Sequence, residues 1–476
     1  MLELVAFYWP HATTIVVVVV SVFLAGTVIL YKRNEGAAIA WVGLILLSPV
    51  MGSIAYLLFG INRIRRRAVR TRPASATLAR AGGLAGQGIP PGRQSQSALD
   101  RLIDQLSSNP CVVGNTVGLL RNGDEAYPEM ISAVDGAQRS VALSAYIFKS
   151  DTAGLAFAEA LQRARSRGVE VRVLVDGVGR MYSLPTIVSV LRKGEIPVAR
   201  YLHSVWPWQM PYLNLRNHRK IMVVDGTVAF TGGINISDNN RLQADPRRPV
   251  RDLHFRIEGR VVTQLADAFA DDWEFTTRET LTGDAWFPRL DGRGDVDARA
   301  ILAGPHEPID RTRWVLQAAI LEAREHIRIL TPYFLPDDIL VSALRLAAIK
   351  GVEIDIVIPA RSNLFFVDWA VRARLDELLD DGCRIWLGPV PFNHAKLTLV
   401  DGDWALIGSS NWDPRSLRLN FELNVECRSE ALVDGLSAVF DAERDASHRL
   451  TMDEIRSRPI LVRLRDGIAR LFAPYL

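Results

Sequence analysis

The stretch Asn217-His218-Arg219-Lys220-Ile221-Met222-Val223-Val224-Asp225-Gly226 returns, altered but in step, as Asn393-His394-Ala395-Lys396-Leu397-Thr398-Leu399-Val400-Asp401-Gly402. Each copy carries His-x-Lys with an Asp five residues beyond the Lys. Seventeen residues after each His stands an Asn, Asn235 or Asn411, behind the mostly small runs Gly232-Gly233-Ile234 and Gly408-Ser409-Ser410. A lone His-x-Lys pair is ordinarily solvated or structural. Two copies with the same downstream Asn in register mark an internal duplication and a pair of half-sites.

The residues after each His are β-branched or apolar and end at Asp-Gly, so each copy reads as a buried strand running into a turn. Side chains alternate across a strand, which puts His218 with Lys220, and His394 with Lys396, on one face. Asp225 and Asp401 fall on odd parity, at the strand end. That position suits a turn or a structural ion pair better than contact with a substrate.

These residues resemble the two HKD motifs of the phospholipase D superfamily, and the whole chain is similar to the bacterial cardiolipin synthases within it. The likeness includes Ala37-Ala38-Ile39-Ala40-Trp41, Tyr56-Leu57-Leu58-Phe59-Gly60, the lead-in from Leu215 to Lys220, and Arg415-Ser416 followed by Leu419-Asn420-Phe421-Glu422. It implies an α/β protein: two duplicated phospholipase D-like lobes, mixed sheets flanked by helices, meeting at a pseudo-twofold active site behind an N-terminal two-helix transmembrane hairpin. The resemblance counts Asp225 and Asp401 with the His and Lys residues of the catalytic motifs. It further implies that His218 attacks phosphorus to give a phosphohistidine while His394 serves as acid and then base, with no metal and no cofactor.

A phosphodiester resists attack because its anionic oxygens repel nucleophiles, so a catalyst must supply positive charge, a nucleophile and an acid for the leaving group. Paired His, Lys and Asn residues supply all three. Lys220, Lys396, Asn235 and Asn411 are the candidates for holding the nonbridging oxygens, with Gly233 and Ser409, beside Gly232 and Ser410, bringing further donors to the phosphate. Each His also needs a partner on its far nitrogen. Asp252 and Glu422 are the candidates, each opening a strand-like segment 34 or 28 residues after the His of its own half, with Glu426 a weaker competitor for the second. His203, His254 and His306 lack a partner pattern, and Asp337-Asp338 and Asp380-Asp381 suit helix caps better than a metal.

With 476 residues the chain is long enough for two or three domains, and its 49% hydrophobic content is high for a soluble enzyme. Two apolar runs account for the excess, Ala12 to Tyr31 and Ala37 to Gly60, each about the length that spans a bilayer and free of internal charge. The first lacks the basic start of a signal peptide and is followed at once by the second, so residues 1–60 read as a hairpin, with Pro49 and Gly52 marking a kink. Residues 61–98 form a basic juxtamembrane segment and linker. Arg63, Arg65, Arg66, Arg67, Arg70 and Arg72 place the catalytic mass on the cytoplasmic side and would attract anionic headgroups by roughly 1 kcal/mol each. A net charge of +3 provides no global field for nucleic acid. Cys111, Cys383 and Cys427, odd in number and widely spaced, suit a reducing compartment rather than a disulfide framework.

The remainder divides into halves at 99–284 and 285–476. In the first, strand-like Ser140 to Phe148, helical Thr152 to Arg167 and strand-like Gly168 to Val175 make a βαβ unit; Ile327 to Phe334, Asp338 to Lys350 and Gly351 to Ile358 repeat it. Tyr146 and Tyr333 occupy matching strands. The first half carries an aromatic insert before its motif, with Trp206, Trp208 and Tyr212. Near the C-terminus Ile460, Leu461, Leu464, Ile468 and Leu471 share one face of an amphipathic helix that packs on the second half or lies on a bilayer. These readings converge on a bacterial inner-membrane phosphatidyltransferase whose partners are phosphatidylglycerol and membrane lipids, not nucleic acid. Alternatives are a phospholipase D, or a transferase using another donor or alcohol; a non-enzymatic scaffold sits poorly with complete motifs in both halves. No oligomeric state follows from the sequence.

Overall fold

The structure, a computed structural model, describes residues 2–32, 34–60, 98–177, 183–201, 215–304 and 310–472. The arginines from Arg63 to Arg72, the linker up to residue 97, the Trp206, Trp208 and Tyr212 insert, His203 and His306 lie outside the described residues. The chain divides into two compact units, Met1–Arg67 and Ala68–Leu476.

In the first unit the apolar run forms a helix over Leu2–Tyr31. Asn34 then caps the next helix, Glu35–Leu47, its side chain accepting from Ala37 N at 2.7 Å. Leu24, Ala25, Val28, Ile45 and Tyr56 pack together, and Ser21 Oγ lies 3.2 Å from Ser53 Oγ. The second run is interrupted where Pro49 and Gly52 mark a kink. It breaks at Ser48, restarts as Pro49–Ala55 and ends in a π-turn at Tyr56–Gly60. Pro49 has no N–H to continue a helix and fits only a first turn. Gly52 lets the chain close on the preceding helix: a Cβ there would stand 2.2 Å from Leu44 O. Among the described residues, only His11–Tyr31 is long and apolar enough to cross a membrane as a helix, with Glu35–Leu47 a shorter apolar helix.

The second unit is built twice over. Its first lobe contains β1 (Val112–Arg121), β2 (Ser140–Ala145), β3 (Glu170–Asp176), β4 (Val198–Tyr201), β5 (Ile221–Val224), β6 (Val228–Gly232), β7 (Val250–Arg251) and β8 (Leu253–Gly259). The second contains β9 (Val296–Ala303), β10 (His326–Leu330), β11 (Glu353–Pro359), β12 (Arg384–Gly388), β13 (Phe392–Asn393), β14 (Leu397–Val400), β15 (Trp404–Gly408), β16 (Glu422–Arg428) and β17 (His448–Arg449). Among the described residues, the order β1-β8-β6-β5-β2-β3-β4 of the first lobe is repeated as β9-β16-β15-β14-β10-β11-β12 in the second, and antiparallel pairing of β1 with β9 makes the two one continuous sheet. β2 with β3 and β10 with β11 are parallel, with crossover helices Thr152–Ser166 and Asp338–Ile349. The sheet is therefore mixed and helix-covered. Its motif strands β5 and β14 are buried at every position, as strands between two covered faces require, with Thr398 the one polar residue in either.

Among the described residues, one apolar cluster lies mainly in each lobe. The helix Val261–Thr277 is buried from Val261 through Trp273 and brings Asp272 inward. The C-terminal helix Ile460–Leu471 packs on the second lobe, but not through its apolar stripe. Asp466 and Ala469 face inward, and Asp466 pairs with Arg458 at 2.8 Å and Arg465 at 2.7 Å. Leu461 and Leu464 stay 75% and 58% exposed. A buried ion pair, not burial of leucines, sets which side of the helix faces the lobe.

Candidate active site

Each His-Lys pair sits in an extended lead-in just before its motif strand, and each lead-in is stitched to the other lobe. Asn217 bridges Phe421 in parallel, and β13 pairs in parallel with β7 through Asn393 and Arg251. His218 N donates to Phe421 O at 2.9 Å and His394 N to Arg251 O at 2.7 Å. The next residues along the partners are Glu422 and Asp252, so each imidazole meets the carboxylate of the opposite lobe. His218 Nδ1 lies 2.9 Å from Glu422 Oε2, and His394 Nδ1 lies 2.8 Å from Asp252 Oδ2. This corrects the pairing expected within each half. Sheet order brings both carboxylate strands to the centre, beside the lobe join, where each faces the other lobe's motif.

With Nδ1 engaged, Nε2 is the nitrogen left to each imidazole for chemistry. His218 Nδ1 donates to a carboxylate, which leaves a lone pair on Nε2. His394 Nδ1 also lies 2.8 Å from Lys396 Nζ, between a cation and an anion. Lys220 Nζ donates to His218 O at 3.0 Å, Lys396 Nζ donates to His394 O, and both ammoniums are buried. Tyr146 stands edge-on to His218 with ring centroids 4.9 Å apart, and Tyr333 to His394 at 6.1 Å.

The family model described as "Cardiolipin synthase, PLD-like domain" matches residues 130–273 and 316–444, more than half the chain, and a "Phospholipase D-nuclease N-terminal" model matches 15–60. The chain belongs to the PLD-like cardiolipin synthase family. It is 30% identical to the cardiolipin synthase of Alkalihalophilus pseudofirmus over 98% of this chain and 95% of that one. It is 32% identical to cardiolipin synthase A of Pseudomonas putida over 93% and 94%. The fold matches the crystal structure of a phosphatidylserine synthase from Haemophilus influenzae, with a TM-score of 0.63 at 14% identity, over 80% of this chain and all of that one.

In this member of the family the electrostatics follow from burial. The His218 imidazole is pushed below its ordinary pKa by burial, with Glu422 opposing and Lys220 assisting. His394 falls to about 4 through burial and Lys396, against Asp252. Lys396 falls to about 7 and Lys220 to about 8, both through burial with the two carboxylates opposing. Burial alone would raise the Glu422 carboxyl, but His218, Lys220 and the Ser409 hydroxyl hold it below the usual range. Charges from each lobe thus act on groups of the other, as expected of one cluster.

The remaining candidates divide by position. Ser409 Oγ donates to Glu422 Oε2 at 2.6 Å, and a Cβ on Gly233, the matching residue, would strike Asp252 Oδ1 at 2.1 Å. Both residues therefore serve the carboxylates: one by a hydroxyl, the other by leaving room. Asn411 Nδ2 lies 3.2 Å from Ser416 Oγ, and its Oδ1 is buried without a hydrogen-bond partner. Asn235 Oδ1 accepts from Ile147 N at 3.3 Å. Asp225 and Asp401 sit at the far ends of β5 and β14, where their carboxylates accept from the backbone N–H groups of residues 138–140 and 324–326. Both hold turns, as strand parity suggests, rather than the phosphate end. Glu426 pairs with Arg299 at 2.6 Å, away from either imidazole. His254 is buried, and Asp337 caps the helix Asp338–Ile349.

Arg219 escaped the sequence reading because only the first motif has it; Ala395 stands in the second. It is 1% exposed, pairs with Asp272 at 3.0 Å and donates from Nε to Glu422 O at 3.2 Å. Asn217 Nδ2 also donates to Asp272, at 3.0 Å.

Proposed function

We propose that this chain is a membrane-associated cardiolipin synthase that moves a phosphatidyl group from one phosphatidylglycerol to another and releases glycerol. The observation that carries the reading is the reciprocal pair of imidazoles, each held through Nδ1 by the other lobe's carboxylate, with two buried lysines beside them. His218 Nε2 attacks the donor phosphorus, forming a P–N bond as the P–O bond to glycerol breaks, and His394 gives the departing oxygen a proton. The acceptor's hydroxyl then returns a proton to His394 and attacks, and the P–N bond breaks. Lys220, Lys396, Asn235 and Asn411 hold the nonbridging oxygens, and the anion they bind supplies the charge that lets His394 take up its proton in a dry site. His218 takes the nucleophile's part as the family resemblance implies, and the lysine ammonium beside His394 Nδ1 sets that imidazole apart.

On this reading residues 1–60 anchor the enzyme, 61–98 connect, and 99–284 and 285–476 are the lobes, on the cytoplasmic side that the arginines after residue 60 favour. The outward leucines of the C-terminal helix suit a lipid surface. Fixing the site beside its lipids raises the effective concentration of the alcohol over water. Purified protein in phosphatidylglycerol vesicles should yield cardiolipin and glycerol, and the His218→Ala variant neither. Phosphatidic acid as the dominant product would make the enzyme a phospholipase D instead.

A further inference from the structure

The two half-sites are not equivalent, and the difference is one of charge. Residues two apart in an extended segment share a face, so Arg216 precedes His218 and Lys220 as Phe392 precedes His394 and Lys396. The second lobe shows how near that position lies: the Phe392 ring centroid is 6.0 Å from that of His394. Both segments are extended and paired in parallel with their partners. The first lobe therefore offers a guanidinium where the second offers a phenyl ring.

Arg415 reaches the same neighbourhood from the short helix Pro414–Arg418. Its carbonyl accepts from Asn420 N at 2.9 Å, while Phe421 N donates to Arg216 O at 2.8 Å, so the two arginines flank the entry to Glu422. Burial and the positive charge of Arg216 lower the Arg415 pKa, with Tyr146, Asp413 and Asp176 opposing. Beside them Asn420 Nδ2 lies 3.1 Å from Glu422 Oε1, and Asn420 Oδ1 is buried with no hydrogen-bond partner. Counted from the histidines, the first lobe has Asn239 where the second has Arg415; counted back from the carboxylates Asp252 and Glu422, it has Val250 where the second has Asn420. Among the described residues the first lobe has no matching cluster.

A transfer between two phosphodiester lipids brings two anions together. Lys220 and Lys396 stand at the phosphorus being transferred. The product joins its two phosphates through a single glycerol, so the second phosphate must lie about a side chain's length from the first. We propose that Arg216 and Arg415 form a second anion subsite that takes the acceptor lipid's own phosphodiester, with the Asn420 carbonyl oxygen accepting from a hydroxyl of its glycerol. The subsite rests on the phosphatidyl-transfer reading and adds to it the reason an anionic lipid alcohol is chosen over water or a neutral alcohol. Guanidinium suits the task because its fork meets phosphate oxygens two at a time and stays charged when buried.

The test uses the full chain in phosphatidylglycerol mixed micelles with butanol as a competing neutral acceptor, and reads the ratio of cardiolipin to phosphatidylbutanol. Arg216→Gln, Arg415→Gln and Arg216→Phe, which copies the second lobe, are each expected to lower that ratio at least tenfold, about 1.4 kcal/mol. Arg216→Lys, which keeps the charge, should recover most of it. An unchanged ratio, or equal loss of both products, would assign the arginines to the donor phosphate or to folding and overturn the subsite. A wild-type protein that makes phosphatidylbutanol but no cardiolipin overturns the transfer reading itself, and the subsite with it.

Discussion

At single residues, what matters is which atom of each imidazole is committed. Glu422 and Asp252 act through the histidines of the opposite lobe, and Glu422→Gln is expected to cut kcat roughly 10²- to 10⁴-fold, as loss of such an orienting carboxylate does elsewhere. Because the carboxylate raises the His218 pKa, its removal should also move the acid limb of the kcat/KM profile to lower pH, which a purely structural role would not do. The lysines set the other limb. They hold phosphate only when protonated, and their folded pKa values of about 7 and about 8 mean that charge is lost as pH rises through that range. A profile of kcat/KM between pH 5 and 10 should fall from about pH 7 upward, where Lys396 begins to lose its proton, since kcat/KM reports the free enzyme. Lys396→Arg should shift the fall to higher pH. Activity still climbing at pH 9 would rule out a phosphate-holding role for these ammoniums.

The strands explain why the third motif residue is where it is. Asp225 and Asp401 both adopt φ of +52°, a left-handed turn that Asp tolerates better than most side chains. Asp225 accepts from Arg139 N at 2.7 Å and Ser140 N at 2.9 Å, so the β5–β6 turn is tied to the start of β2; Asp401 ties the β14–β15 turn to β10 in the same way. Asp225→Ala should therefore cost about 2–3 kcal/mol in urea unfolding, the sum of lost charged hydrogen bonds and an alanine in a left-handed turn. The folded fraction should lose less than tenfold in kcat, against at least a thousandfold for His218→Ala. Equal losses would return Asp225 to the chemistry. The alternation that separated the aspartates from the His-Lys face was legible because it needs only strand periodicity. The inward side of the C-terminal helix was not, because hydropathy counts apolar residues without saying which neighbours bury them.

Across the molecule, the lobes are held in register by a buried charge. Arg219 joins Asp272 of the first lobe to the backbone of Glu422 in the second. Arg219→Ala leaves Asp272 buried without its cation, and removing one partner of a buried pair costs about 3–5 kcal/mol. Urea unfolding should show that loss together with a fall in kcat, because the strand it holds carries Glu422. Asp272→Asn should be less than additive with it. Independent effects would mean that the two residues do not act as a pair.

The duplication, the βαβ order of each half, the chemistry of paired His and Lys and the turn position of Asp225 could all be read from spacing and periodicity, since each depends on residues close in the chain. Asp252 and Glu422 could be nominated by residue type and strand position, yet their partners lie 142 and 204 residues away. No local pattern encodes such a distance. Which carboxylate serves which imidazole was settled only when β1 met β9 and set the two copies face to face.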